Sequence, residues 1–516
     1  MKMSMAATMT RERRIEPAVA VGVSVAVFLL VQATAYDLVG AFEYPLDDVY
    51  IHLAVAEQIA AGGYGVNPGE YTSAASSPIY PFLLVPFVGT AIHAYVPLVW
   101  NVVALIACAV LWGRIVQNAV QDWRVALALA ILGPLAFNLA GIAQVGMEHT
   151  LHVLAGLAVL RGLQQQLDDD RLHWLLVAGM VLGPLVRFEG LAITGGAALA
   201  LVMMGRWKTG LSLFAVALAL VAGFMAFLTS LGLEPLPNSV MAKLAGGGQD
   251  SRFSLLDLPM KLATQLLLSD KAIVMLFAVV IATVAIPRVD RKARAILAGA
   301  VFAGTGHLLL GQFGWFNRYE LYALSFVFGM VMLGLFQAEN MKSARALLIV
   351  GFAYLALSYG VWLVQNGKYG ALGIYSQQRN MSTFVKEVYQ KPVAVNDLGY
   401  VAWNNPNYVL DLWGLASYRA LSTRLDNPYD GWADEIVKDA GVELAIIYDH
   451  WIDDGIGDDW VKVGTLVYTG ARAFLGGQIV SFYATTPAAA PELRKQIADF
   501  APRVVGAAEL RVEDVP

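Results

Sequence analysis

Apolar residues in this chain come in long unbroken runs, not in the alternating or three-to-four-residue spacing of a water-soluble domain. Runs near 17–36, 94–113, 125–142, 149–166, 172–187, 189–205, 210–232, 271–287, 294–311, 319–337 and 344–364 each approach the roughly 17–25 residues that a bilayer-spanning helix needs. Two regions are marginal. The 149–166 run contains Arg161, and 172–205 divides into two short helices around Arg187-Phe188-Glu189-Gly190. The piece from Pro78 to Gly89 is too short to cross, carries Pro81 and Pro86, and reads as a re-entrant or interfacial helix. Beyond residue 365 the pattern changes. Val393–Val395, Tyr408–Leu412, Leu444–Tyr448 and Val480–Tyr483 read as strands, with helices at Ser382–Tyr389 and Trp432–Ala440. The prediction is an α-helical polytopic membrane domain over 1–365, with about eleven transmembrane helices and a first outer loop at 42–93. A small extracytoplasmic α/β domain follows over 366–516.

Composition agrees with lipid as the main solvent. The 516 residues are 58% hydrophobic and 15% charged, with mean hydropathy +0.58, against about a quarter charged in soluble domains. Residues 366–516 hold 19 acidic and 13 basic side chains, so the tail is the acidic part. No basic patch points to nucleic acid. Cys108 is the only cysteine, which excludes an intrachain disulfide or a cysteine-based metal site.

Lys and Arg positions predict the orientation. Lys2, Arg11, Arg13 and Arg14 precede the first run and put the N-terminus in the cytoplasm. If 78–89 does not cross, the basic connections around Arg114, Arg171, Arg206, Arg291 and Lys342 share that side, and the C-terminal domain lies outside. Ala33-Thr34-Ala35 resembles a signal-peptide cleavage site, but the run before it is longer than a signal core.

This topology gathers the remaining polar motifs in the outer connections: Asp47-Asp48, Met147-Glu148-His149, Arg187-Phe188-Glu189, Pro237-Asn238 with Lys243, and Asn317-Arg318-Tyr319-Glu320. A transporter would carry ionisable groups near the midplane of its spans. Here they stand at one interface, which favours chemistry on a substrate whose polar head lies there and whose tail stays in lipid. Arg187, Arg318 and Lys243 suit contact with a lipid phosphate and stabilise it as a leaving group. An Asp of the Asp47-Asp48 pair can deprotonate an acceptor hydroxyl. No cofactor is required by this scheme, although the two carboxylates could also hold a divalent cation. Glu148 and Glu189 either bind substrate or pair with a neighbouring Arg. His52, four residues after Asp48, shares its helix face and either tunes a carboxylate or covers the helix surface. His149 and His152 read as structural, not as metal ligands. Asp453, Asp454, Asp458 and Asp459 lack an EF-hand spacing and read as solvated surface. The tryptophans of the tail, among them Trp413 and Trp451, fit either sugar stacking or a core.

Several of these stretches together resemble GT-C glycosyltransferases. The likeness lies in Asp47-Asp48-Val49-Tyr50-Ile51-His52-Leu53, Val66-Asn67-Pro68-Gly69-Glu70, Thr72-Ser73, Gly146-Met147-Glu148, Arg187-Phe188-Glu189-Gly190, Pro237-Asn238-Ser239 and Asn317-Arg318-Tyr319. In the tail, Val393-Ala394-Val395-Asn396-Asp397-Leu398-Gly399 and Val409-Leu410-Asp411-Leu412-Trp413 add to it. The nearest likeness is to the cell-wall terminal arabinofuranosyltransferase branch. The resemblance implies a GT-C fold in a bacterial cytoplasmic membrane and a polyprenyl-phosphate-linked sugar donor. The acceptor would be a cell-envelope glycan, lipid or protein, and transfer would invert the anomeric centre. It also implies Asp47 as base and Asp48 as its support, with Glu148, Arg187, Glu189, Asn238, Lys243, Arg318, Tyr319 and His52 around the substrate. Phe188 stands where relatives often carry Pro, and His149 replaces a small polar residue, so the donor sugar (arabinofuranose, or a hexose such as mannose) stays open. The rival readings are a lipid-linked sugar flippase and a non-catalytic sugar-lipid binding subunit.

Overall fold

Every one of the apolar runs is helical in the computed structural model, which describes residues 15–244, 257–426, 428–471 and 474–513, with the side chains of Lys243 and Leu244 outside that set. Among the described residues, seven helices are long and apolar enough to cross a membrane, among them Ile15–Val39, Trp207–Ser230 and Arg291–Leu310. Trp174–Val186, Gly190–Met203 and Leu321–Gln337 are apolar but shorter. The expected piece at 78–89 contains only the short helix Tyr80–Leu84 and one 3₁₀ turn, Val85–Phe87.

Two compact units divide the chain. The first comprises Met1–Gln32, Leu98–Gly223 and Leu255–Val364; the second comprises Ala33–Pro97, Phe224–Ser254 and Gln365–Pro516. The loop at 42–93, which the hydropathy pattern assigns to the membrane domain, therefore folds in the same unit as the tail.

In the first unit, Leu321–Gln337 is the central helix, with every side chain from Leu321 to Leu335 buried. A helix apolar all round belongs inside a bundle. Peripheral helices instead expose large apolar side chains such as Leu30 (63%), Val350 (63%) and Leu357 (67%); surface of this kind is solvated by hydrocarbon, not water. Small residues set the closest crossings. A Cβ on Gly196 would lie 2.6 Å from the Gly299 carbonyl oxygen, and one on Gly299 equally close to that of Gly196, so these two helices touch backbone to backbone. Gly190 and Gly183 do the same at the turn joining Trp174–Val186 to Gly190–Met203, and Thr194 Oγ1 donates to the Met180 carbonyl across that hairpin at 2.9 Å. One helix, Leu258–Leu268, has no counterpart among the expected elements. It leaves Met260, Leu267 and Leu268 more than two-thirds exposed.

The second unit is built on a six-stranded sheet in the order β2-β1-β3-β5-β4-β6. Its strands are β1 (Val393–Val395), β2 (Val409–Asp411), β3 (Leu444–Ile447), β4 (Val461–Tyr468), β5 (Ile479–Ala484) and β6 (Ala508–Val512). Four of the six match the expected strands; β4 and β6 are additional. β1 pairs in parallel with β2 and β3, and the remaining ladders are antiparallel. Side chains alternate between two cores, as a pleated strand requires. Val393, Val395, Leu444 and Ile446 face one core, while Ala394, Ala445 and Ile447 face the other with Trp432, Ala433, Ile436 and Val437. Ile51, Ala54 and Val55 from the helix Asp48–Ala60 join the first of these cores. Shared apolar burial is thus the reason the first outer loop folds with the tail.

Candidate active site

Asp47 immediately precedes the helix Asp48–Ala60, where an acidic first turn meets the positive end of the helix dipole. Its carboxylate is buried at 7% exposure and is held by the chain after β1. The Gly399 amide donates to Oδ2 at 2.6 Å and the Tyr400 amide to Oδ1 at 2.8 Å. A Cβ on Gly399 would lie 2.5 Å from Asp47 Oδ2, so only glycine leaves room for the acid. The Asp397 carboxyl, from the same turn, lies within hydrogen-bonding reach of Asp47. Gln378 Nε2 donates to Asp397 Oδ2 at 2.8 Å and to the Tyr448 hydroxyl at 2.9 Å. Burial raises both acids: Asp47, further repelled by Asp397, stands well above its usual value, and Asp397, repelled by Asp48 and Asp411, is pushed up to about 6.

A second buried acid shares this loop. Glu43 (5% exposed) accepts hydrogen bonds from the hydroxyls of Tyr50 and, at 3.4 Å, Tyr400. Arg379 lies 3.8 Å away. Burial outweighs these partners and pushes its carboxyl up to about 7. Tyr50 and Tyr400 stack at 4.1 Å, tying Glu43 and Asp47 to one aromatic support.

Other expected residues of the second unit fall out as follows. Asp48 is half-buried and adds its charge to both Asp47 and Asp397. His52 is buried and meets the Tyr80 ring edge-on at 5.2 Å, which covers the helix surface. The Asn238 amide donates to Ser73 Oγ at 3.1 Å, joining two of the motifs that carry the family resemblance. Lys243 closes the helix Asn238–Leu244, but its side chain lies outside the described residues.

The first unit gathers the other five. Arg187 Nη1 meets Glu148 Oε1 at 2.5 Å and Arg187 Nη2 meets Glu189 Oε1 at 2.7 Å. Arg187 and Glu148 are buried, whereas the Glu189 side chain is 37% exposed. The Tyr319 ring lies under both Arg187 (5.7 Å) and Arg318 (5.1 Å). Arg318 donates to Met147 Sδ at 2.8 Å and to the Tyr319 hydroxyl at 3.2 Å. The turn before Arg318 is strained: Trp315, Phe316 and Asn317 have φ of 42°, 62° and 50°. Three consecutive left-handed residues cost about 1–2 kcal/mol each. Glu320 holds them, accepting from the Gly314 amide at 3.0 Å and the Tyr359 hydroxyl at 2.8 Å.

Arg187, expected to contact a lipid phosphate, is matched here by two carboxylates. Among the described residues no cluster of three or more His, Cys, Asp or Glu is placed to hold a metal. Each oxygen of Asp47 already accepts an amide proton. Asp397, Glu43 and Tyr400 are additions to the site. Asp397 was legible as an acid two residues after an apolar strand and two before a glycine; Glu43 carried no signal beyond its place in the loop.

A family model described as "Domain of unknown function (DUF8728)" matches residues 371–483. No curated protein matches the sequence. Among solved structures, the chain is similar to ArnT from Cupriavidus metallidurans bound to undecaprenyl phosphate, at 12% identity and a TM-score of 0.51, covering 92% of this chain and 98% of that one. An Archaeoglobus fulgidus oligosaccharyltransferase also matches, at 12% identity and a TM-score of 0.46, covering 91% of this chain and 73% of that one. The protein is an α-helical polytopic membrane protein of GT-C-like fold with a small C-terminal sheet domain.

Proposed function

We propose that this chain is an integral membrane glycosyltransferase. It moves a sugar from a polyprenyl phosphate to a hydroxyl of a cell-envelope glycan, lipid or protein. The observation that carries the reading is the buried Asp47 carboxylate, oriented by two backbone amides next to an apolar helix of spanning length. The GT-C-like fold, shared with a protein whose structure holds undecaprenyl phosphate, supports a lipid-linked donor.

In the reaction, Asp47 takes the acceptor hydroxyl proton as that oxygen attacks the anomeric carbon. The bond from that carbon to the phosphate oxygen breaks, and polyprenyl phosphate leaves with the electron pair, so the anomeric centre inverts. Arg318 meets the phosphate as its charge develops. Arg187 keeps Glu148 and Glu189 in place for the sugar hydroxyls, and Tyr319 supports both arginines. The helices 174–186 and 190–203 are each about 20 Å long at 1.5 Å per residue, short of the roughly 30 Å hydrocarbon layer. The turn that carries Arg187 and Glu189 accordingly lies recessed in the bilayer, at a depth a lipid headgroup can reach. The N-terminus is cytoplasmic, and the active site and sheet domain face the other side of a bacterial cytoplasmic membrane. Arabinofuranose is the first donor to test and mannose the second.

The test uses protein in nanodiscs offered polyprenyl-phosphate arabinofuranose, mannose or glucose with acceptor glycans, reading released polyprenyl phosphate by mass spectrometry. Release with one donor, lost in Asp47→Asn while donor binding persists, is the expected outcome. Full release by Asp47→Asn removes the base assignment. Binding of donor with no release from any of them turns the reading toward a flippase or binding subunit.

A further inference from the structure

The chain after β1 brings an acid to Asp47 at a place where α/β sheets collect ligands. β1 is flanked by β2 on one side and β3 on the other, both parallel to it, so the β1→β2 connection runs to one side of β1 and the β2→β3 connection returns to the other. The carboxyl end of such a strand opens into a crevice that crossover connections leave free. Asn396 closes the floor of that opening. Its side chain donates to the Tyr448 carbonyl and accepts from the Tyr448 amide, both at 3.0 Å, locking the end of β1 to the end of β3. Asp397 comes next, then Leu398, and then the two amides that hold Asp47.

We propose that Asp397 is the positioning residue for Asp47: with the amides of Gly399 and Tyr400 it fixes the orientation in which Asp47 receives the acceptor's proton. This rests on the glycosyltransferase reading above and deepens it, because half of the base then belongs to the sheet domain and half to the first loop. Three contacts from one turn restrain one carboxylate, and Gln378 restrains Asp397 in the same way. The chain of hydrogen bonds continues from Gln378 to the Tyr448 hydroxyl and on to Gln377, whose Nε2 is anchored on the carbonyls of Gly477 and Gln478. The acid therefore sits on a braced network, not on a flexible loop. The charged or titratable groups facing the pair are Asp48, Asp411, Lys386 and Tyr448.

Asparagine at 397 can still donate to Asp47, but it carries no charge; alanine does neither. In the nanodisc transfer assay, Asp397→Ala is expected to lose about 100-fold or more in kcat with donor KM unchanged, the effect of misplacing a reacting group by about an ångström. Asp397→Asn keeps most of the plateau kcat. Its acidic limb in the pH–rate profile moves down by about one pH unit, since a neighbouring like charge no longer holds the proton on Asp47. Gly399→Ala, with Asp397 intact, lowers kcat as Asp397→Ala does, because the added methyl displaces Asp47. Wild-type kcat in Asp397→Ala or Gly399→Ala overturns the inference, as does a pH profile in Asp397→Asn that matches wild type. Donor binding by each variant shows whether it has folded, and a misfolded Asp397→Ala leaves Gly399→Ala and Asp397→Asn to decide. An inactive Asp47→Asn beside an unaffected Asp397→Ala sinks this inference alone; an active Asp47→Asn sinks the base assignment as well.

Discussion

The two units handle buried charge in opposite ways. In the membrane unit, Arg187 stands between Glu148 and Glu189, so opposite charges meet and hydrogen bonds complete the arrangement. In the sheet unit, Asp47 and Asp397 bring two acids together, and two backbone amides hold Asp47. An opposite-charge cluster holds its shape as long as all partners stay. A like-charge pair changes with its proton, which suits a group that must accept one. The first arrangement is fixed by opposite charges; the second responds to protonation.

The most damaging way to break this contrast is to remove the central cation of the membrane unit. Arg187→Leu leaves the buried Glu148 unmatched and should cost about 3–5 kcal/mol. Thermal unfolding in detergent reads it, and a shift too small to resolve would deny the ion cluster its structural role. The sheet unit should instead respond to pH. Glu43 and Asp397 are raised to about 7 and about 6, so each binds its proton more tightly folded than unfolded. Their contribution is complete below the ordinary carboxylate range, near pH 4, and is lost as pH rises through 6 to 7. The opening free energy read from hydrogen exchange in the helix Asp48–Ala60, after correction for intrinsic exchange, should fall between pH 5 and pH 8 by up to about 3 kcal/mol for Glu43 alone. Glu43→Gln should flatten that dependence; an unchanged slope would place its origin elsewhere. The smallest effect belongs to Glu189→Gln. This partner of Arg187 is 37% exposed, so solvent screens the pair and the loss should stay within about 1 kcal/mol. A loss as large as that from Arg187→Leu would mean that Glu189, and not Glu148, anchors the cluster.

Much of the molecule was legible from one dimension. Long apolar runs identify helices solvated by lipid because a helix satisfies its own backbone in hydrocarbon, whereas the other arrangement that does so, a closed β-barrel, alternates apolar and polar residues along its strands. The break at Arg187-Phe188-Glu189 was visible because charged residues interrupt such a run. Four strands of the tail showed as short apolar stretches, whereas β6 is short and polar, with Glu509 and Arg511 exposed, and is held by pairing with β4. The helix Leu258–Leu268 escaped because its apolar residues form a brief run beside a polar stretch.

The pairing of Asp47 with Asp397 lay further out of reach. Asp47 announces itself in the sequence by its place after a span and its acidic neighbour, and Arg187, Glu148 and Arg318 by charges at the ends of apolar runs. Those features are local, and hydropathy reports local solvation. That Asp397, hundreds of positions along the chain, lies against Asp47 depends on β1 pairing between β2 and β3, and on Ile51, Ala54 and Val55 sharing a core with Val393 and Val395. That Arg187 lies between two carboxylates was likewise decided by packing. The sequence alone therefore determined which residues carry charge beside lipid, because transfer free energy is additive along a chain. Only the tertiary structure decided which charges are partners, because at a few ångströms Coulomb and hydrogen-bond energies depend on geometry that local sequence does not encode.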